Sequence, residues 1–318
     1  MIADLVERLL AGDPRAIARA ITLIENEDTR AAAVVAGIYA RTGRAYLIGV
    51  TGPPGAGKST LVDRLIAAQR QAGRTVGVIA VDPSSSFTGG AVLGDRVRMQ
   101  EHASDGGVFV RSMATRGHLG GLARTTADVA LVLDAAGKDV VIIETVGVGQ
   151  DEIDIVRTAD VSVVTLVPGT GDDVQAIKAG IMEIADIFVV NKADREGADR
   201  LVTSVETNLA LHGYGPDDWR PPIIRTVATD GVGIDLLVDA IERFRGRSGS
   251  APARQRQRGE FRLRELLSHR FMQHLEQVVL APGELAAWLD RIASREVDPY
   301  TAADTLLARA LGAEPGKR

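Results

Sequence analysis

Gly52, Pro53, Pro54, Gly55, Ala56, Gly57, Lys58, Ser59 and Thr60 fit the pattern G-x-x-x-x-G-K-[ST] and come just after the apolar run Ala45–Val50. Glycines at these spacings let a short backbone segment curl around an anion, with successive N–H groups pointing inward. A helix beginning near Ser59 adds the positive end of its dipole at the same point. In such a loop Lys58 reaches the β- and γ-phosphates of a nucleoside triphosphate, and the Ser59 hydroxyl ligates Mg²⁺. The stretch reads as a phosphate-binding loop.

Further patterns lie downstream at the ends of apolar runs. Val140–Glu144 is followed by Thr145, Val146 and Gly147. A buried strand that ends in an acid sets a carboxylate at the carboxyl edge of a sheet, where a phosphate-bound metal sits. Gly147 lets a backbone N–H meet the γ-phosphate, so Glu144 to Gly147 forms an [DE]-x-x-G switch element. Asn191, Lys192 and Asp194 form N-K-x-D behind Val189 and Val190. The Asp194 carboxylate can accept from both the N1–H and the exocyclic amine of guanine. Adenine offers neither donor there and would leave the acid unpaired, which is a large discriminating cost. Asn191 and Lys192 are expected to support the loop and flank the base. Val227, Ala228 and Thr229 stand where guanine-binding proteins place Ser-Ala-Lys, and only Ala228 matches that triplet. The segment from Asp82 to Met99 is rich in Gly and Ser, as switch segments tend to be. Its acids Asp82 and Asp95 are candidates to bind Mg²⁺ directly or through water.

The elements needed to position these groups are legible as alternating runs. Candidate strands are Ala45–Val50, Thr75–Val81, Val108–Val110, Val140–Glu144, Val161–Val167, Ile187–Val190 and Ile223–Val227. Several are unbroken Val/Ile runs, as strands covered on both faces require. Helical stretches such as Ser59–Gln71, Leu122–Ala136 and Ala198–Leu211 lie between them. The pattern predicts an α/β fold with a doubly wound, largely parallel sheet over residues 45–246. Residues 1–44 read as a helical N-terminal extension packed against that core. Residues 247–258 read as a linker by their Gly, Ser and Pro content, and 259–318 as a helical C-terminal arm. The arm opens with a long amphipathic helix over Glu260–Leu280, preceded and joined by the basic series Arg254 to Arg264. An apolar stripe on a tethered arm is suited to burial against a second subunit, and packing back on its own core is the competing arrangement.

The chain has 318 residues, of which 45% are hydrophobic and 25% charged, ordinary values for a globular protein. Its net charge of −5 argues against a general nucleic-acid or membrane-surface binder. With no cysteine there is no disulfide framework, thiol nucleophile or thiolate metal site. Acids interrupt the apolar residues of the N-terminus, unlike a signal peptide, and no run approaches the roughly 18 apolar residues of a membrane span. A cytoplasmic location is expected.

Together the motifs resemble one family, the methylmalonyl-CoA mutase-associated GTPases of the MeaB/MMAA/ArgK type. Asp82-Pro83-Ser84-Ser85, Gly89-Gly90 and Leu93-Gly94-Asp95-Arg96 carry the likeness, as do Arg111 to Gly121, Glu144 to Gln150, Val167 to Asp172 and Asn191 to Asp194. The resemblance implies a homodimeric GTPase, joined through its C-terminal arm, with GTP or GDP and Mg²⁺ as ligands. It further implies a chaperone for adenosylcobalamin-dependent methylmalonyl-CoA mutase, or a related acyl-CoA mutase, that loads, protects or reactivates that enzyme. Carried over by position, Lys58 and Ser59 serve phosphates and Mg²⁺, and Asp82, Asp95 and Glu144 serve the metal and switch site. Asp194 reads guanine. Pro168 to Lys178 resembles the family's additional switch loop, with Lys178 a candidate for partner-stimulated hydrolysis. The residue after Gly147 is Val148, where Ras-like enzymes carry the glutamine that orients water, which implies slow unassisted hydrolysis. Two other functions fit the core, a nickel-insertion GTPase and a P-loop kinase. The first normally carries Cys/His clusters, against zero Cys and five His here, and the second leaves N-K-x-D unexplained.

Overall fold

Seven apolar segments become the strands of a single sheet in which every neighbouring pair is parallel. The computed structural model describes residues 2–82, 102, 104–114, 121–145, 158–169, 181–247 and 251–312. The strands are β1 Tyr46–Thr51, β2 Val76–Asp82, β3 Val108–Ala114, β4 Val140–Glu144, β5 Val161–Leu166, β6 Ile187–Asn191 and β7 Ile223–Thr226. Their order across the sheet is β3-β2-β4-β1-β5-β6-β7, which puts β1 in the middle between β4 and β5. The order reverses direction about β1, and in open parallel sheets ligands bind at the carboxyl ends beside such a switch point.

Successive residues of the central strands feed opposite faces. Val140 and Ile142 join Ile48, Val50, Val161 and Val163 on one side, while Val141 and Ile143 turn to the other. Helices α4 (Lys58–Gln71) and α8 (Ile234–Arg245) cover the first face through Leu61, Leu65, Leu237 and Ile241. The N-terminal helices α1 (Ile2–Leu10), α2 (Pro14–Glu25) and α3 (Ala31–Ile38) share the second face with α5 (Gly121–Ala135). Further along that side, α6 (Ile181–Ile184) and α7 (Ala198–Ala210) flank β5 and β6, with Leu201 and Val205 of α7 against Phe188 and Val190. Burial on both faces explains why β4, β5 and β6 are rich in Val and Ile, with every residue buried. The doubly wound sheet expected from the sequence is present.

The chain divides into two compact units, residues 1–255 and 256–318. In the second unit the long helix α9 (Ala251–His274) ends in a π-turn at Leu275–Val279, followed by α10 (Glu284–Ala293) and α11 (Pro299–Ala310). Its buried centre is small, consisting of Leu275, Leu280 and Leu306 with Trp288 and Leu285 packed against them. Glu284 and Arg309 tie α10 to α11, and the Arg291 guanidinium lies over the Trp288 ring, 4.6 Å from its centroid. Leu263 and Leu267 of α9 stay 58% and 60% exposed, an apolar surface that this unit does not bury within itself.

Two boundaries differ from the sequence reading. Helix α9 begins at Ala251, so residues 251–258 of the expected linker are helical. Pro252 falls in the first turn, where its missing N–H costs nothing, and Ala, Arg and Gln after it are good helix formers. Strand β3 runs to Ala114, well past Val110, because Arg111 and Ser112 interrupt its apolar run without interrupting its pairing to β2. The Arg111 guanidinium is taken up by Glu25 at the end of α2.

One buried acid joins the N-terminal helices to the sheet. Asp134 of α5, only 5% exposed, accepts from the backbone N–H groups of Gly43, Arg44 and Ala45, just ahead of β1. Asp134→Ala should lower the unfolding free energy by about 2–3 kcal/mol in urea titrations, since three donors lose their acceptor. Asp134→Asn keeps one acceptor oxygen and should cost about half as much.

Candidate nucleotide-binding site

The loop from Gly52 to Gly57 leaves the carboxyl end of β1 and enters α4 at Lys58. Two of its glycines are dictated by close neighbours as well as by backbone angle. Gly52 has φ 145° and Gly57 φ 86°, both in the region that side chains avoid. A Cβ on Gly52 would lie 2.0 Å from the carbonyl oxygen of Thr165 in β5. On Gly57 it would lie 2.4 Å from Asn191 Nδ2 in β6. The loop is thus pressed onto the two strands beside β1. Lys58 is buried, and its Nζ donates to the carbonyls of Gly52 at 2.8 Å and Pro53 at 3.1 Å. The ammonium therefore sits inside the curl of the loop, at the start of a helix whose dipole is positive at that end. Pro54 and Gly55 are exposed, Ala56 is buried, and Thr60 is half-buried in the first turn of α4.

Ser59, the second residue of α4, faces the end of β4. Its hydroxyl donates to Glu144 Oε1 at 2.6 Å, a short charge-assisted bond. Glu144 is 4% exposed and aligned with Val50 of β1. Thr145 continues the strand direction, donating its N–H to the Val50 carbonyl and its hydroxyl to Thr51 Oγ1 at 2.9 Å. A serine hydroxyl and a carboxylate meeting at the phosphate loop are hard oxygen donors of the kind Mg²⁺ takes. Asp82 ends β2, two residues beyond Ala80, which is aligned with Glu144, so its backbone reaches the same carboxyl edge. Asp95, Gly147 and Lys178 lie outside the described residues, as do Val148 and Gln150.

On the other side of the loop, Asn191 acts as a clasp. Its Nδ2 donates to the Ala56 carbonyl at 2.8 Å, while its Oδ1 accepts from Thr226 Oγ1 at 3.0 Å and from the Ala228 N–H at 3.1 Å. One 2%-exposed amide thus holds the phosphate loop, β6 and the end of β7 together. Lys192 takes a left-handed φ of 55°, and its Nζ donates to the Gly55 carbonyl at 2.7 Å. The Ala193 N–H is held by the Thr226 carbonyl, and Asp194 stands exposed on the turn that follows. Val227, Ala228 and Thr229 come up beside that turn, with Val227 bridged to Val232 and Ala228–Asp230 forming a 3-10 turn.

The sequence reading missed Arg64, whose Nε and Nη2 donate to the carbonyls of Ala228 and Thr229 at 3.0 and 2.5 Å. It braces the base-side loop from α4, and an arginine on an amphipathic helix carries no sequence signal of such a role. The paired hydroxyls of Thr51 and Thr145 were missed for the same reason. Removing the clasp separates local stability from binding. Asn191→Ala should lower stability by about 2–3 kcal/mol and weaken GDP binding at least about tenfold, whereas Thr226→Val, which removes one bond, should cost about 1 kcal/mol. Urea unfolding and equilibrium titration with a fluorescent GDP derivative measure both.

A family model described as methylmalonyl-CoA mutase-associated GTPase MeaB matches residues 17–279. A Pyrococcus abyssi protein is 53% identical over 98% of this chain and 98% of its own length. The Escherichia coli GTPase ArgK is 38% identical over 77% of this chain and 76% of its own. The mouse methylmalonic aciduria type A homolog is 32% identical over 94% of this chain and 77% of its own. Among solved structures, one described as an LAO/AO transport system kinase aligns with a TM-score of 0.72 and 28% identity, covering 96% of each chain. No helix among the described residues is long and apolar enough to cross a membrane. With the phosphate loop, the acid at the end of β4 and the N-K-x-D turn arranged around one edge of the sheet, the chain belongs to the MeaB family and is a GTP-binding, GTP-hydrolysing enzyme of the MeaB/MMAA/ArgK type.

Proposed function

We propose that this GTPase is a timing chaperone for an adenosylcobalamin-dependent methylmalonyl-CoA mutase or a related acyl-CoA mutase in the cytoplasm. The observation that carries the reading is the extent of the family match, which runs from α2 through the whole nucleotide domain into the C-terminal unit. A likeness confined to the phosphate loop and N-K-x-D turn would support guanine-nucleotide binding and nothing narrower. In this reading GTP and GDP states alternate, and the state sets whether the mutase is loaded with cofactor, protected or reactivated. The exposed apolar residues of α9 are the surface through which two copies pair.

At the site, the loop N–H groups and Lys58 hold the phosphates, so the Lys58 ammonium exchanges its carbonyl partners for phosphate oxygens. Ser59 and Glu144, with Asp82 and Asp95, would hold Mg²⁺, which supplies charge neutralisation between the phosphates. Gly147 senses the γ-phosphate, and Asp194 takes the two donors on the guanine edge. Glu144 orients the Ser59 hydroxyl, while Asp95 and Lys178 contribute to hydrolysis on the switch segments. No glutamine directly follows Gly147, so the free protein turns over slowly until a partner completes the arrangement.

Two measurements test these statements separately. Asp194→Asn replaces a double acceptor by a group with one donor, so GTP affinity should fall at least about 100-fold while xanthosine triphosphate gains. Unchanged GTP preference would remove the role of Asp194. Single-turnover hydrolysis should accelerate when the mutase is added, and equal rates with and without it would overturn the chaperone reading while leaving the GTPase intact.

A further inference from the structure

Between α1 and α2, with Arg30 ahead of α3 at its edge, lies a cavity of about 480 Å³. That volume is in the range of small-molecule pockets, roughly 300–1,000 Å³. Its floor is apolar, formed by Leu5, Ala16 and Leu23, each less than 10% exposed. Its rim is cationic, with Arg8, Arg15, Arg19 and Arg30 against the single acid Asp4. Two of these arginines are already committed. Arg8 is paired with Asp13 at 2.6 Å and Arg30 with Asp28 at 2.7 Å. The guanidiniums of Arg15 and Arg19 have no ion-pair or hydrogen-bond partner among the described residues. They sit four positions apart on α2, so their side chains rise from neighbouring points about 6 Å apart on one helix face.

The nucleotide site uses none of these groups. A protein with a net charge of −5 nonetheless places two uncompensated cations at the mouth of an apolar cleft. Guanidinium groups bind phosphate oxygens through parallel N–H donors, and an apolar floor rewards a chain or ring carried behind that head. We propose that this cavity binds a small anionic amphiphile, a soluble phosphate monoester with one apolar substituent. Arg15 and Arg19 clamp the phosphate, and Leu5, Ala16 and Leu23 receive the apolar part. The acid Asp4 of α1 also lines the cavity and repels an anionic head, which favours the α2 side for the phosphate.

Decyl phosphate, used as monomer on the full-length protein, is the probe, with decyl maltoside as the uncharged control of equal chain length. Isothermal titration should give saturable one-to-one binding of the phosphate and none of the maltoside. Arg15→Gln/Arg19→Gln changes two exposed residues, and should weaken binding at least about tenfold, or about 1.4 kcal/mol, while leaving GDP affinity and the melting temperature unchanged. Ile2→Trp, which adds bulk at a half-buried lining position, should abolish binding with both arginines in place. Equal binding of phosphate and maltoside, or no loss in either variant, overturns the proposal. So does cosedimentation with anionic phospholipid vesicles without monomer binding, which would make the patch a membrane contact.

Discussion

The whole nucleotide site depends on how closely the loop after β1 is pressed against its neighbours. Thr165 and Asn191 approach Gly52 and Gly57 so closely that any side chain at either glycine would overlap them. The loop's curvature is thus imposed from outside, by strands β5 and β6, as well as permitted from inside by glycine. An anion site made of backbone N–H groups works only if those groups point inward before the ligand arrives. The reorganisation cost would otherwise be subtracted from binding. A central β1, flanked on both sides by buried parallel strands, supplies the rigid support that this preorganisation needs.

The same packing makes the phosphate side and the base side of the site one mechanical body. Asn191 bonds to Ala56 on the loop and to Thr226 and Ala228 at the end of β7, while Lys192 bonds to Gly55. Arg64 adds a strut from α4 to the Ala228–Thr229 carbonyls. In the N-K-x-D element, then, the first two residues are structural, and Asp194 is left exposed on the turn that follows, as the proposed reading of guanine requires. The residues before it fix where that carboxylate stands.

Much of this was legible in the sequence, for definite reasons. The central strands were readable because burial on both faces writes them as short runs rich in Val and Ile, and the loop because only glycine fits its angles. Glu144 was readable as the terminal acid of such a run. Other features were not. Arg111 and Ser112 concealed the length of β3, since an edge strand paired on one side tolerates polar residues that a central strand would not. Pro252 suggested a linker because proline breaks helices in their interior, whereas the first turn tolerates it. Arg64, Asp134 and the Thr51–Thr145 pair act through partners far away in sequence, at separations that no local pattern encodes. Asn191 was recognised as a motif residue, but its three-way clasp needed the fold to bring β6, β7 and the loop together.

A molecular timer needs a part that does not move as much as one that does. A ligand can shift an equilibrium only through differential affinity for two states, so contacts that are identical in both states contribute binding without signal. The loop, Asn191, Lys192 and the β1–β4 junction are tied to strands buried on both faces, which suits them to contacts of that constant kind. Information about the γ-phosphate must instead leave through groups whose attachment to the sheet ends at the carboxyl edge. Glu144 stands at that boundary: its backbone belongs to β4, fully buried and in register with β1 and β2, while its carboxylate reaches Ser59. The phosphate loop's helix and the end of β4 are therefore coupled directly by one hydrogen bond of 2.6 Å.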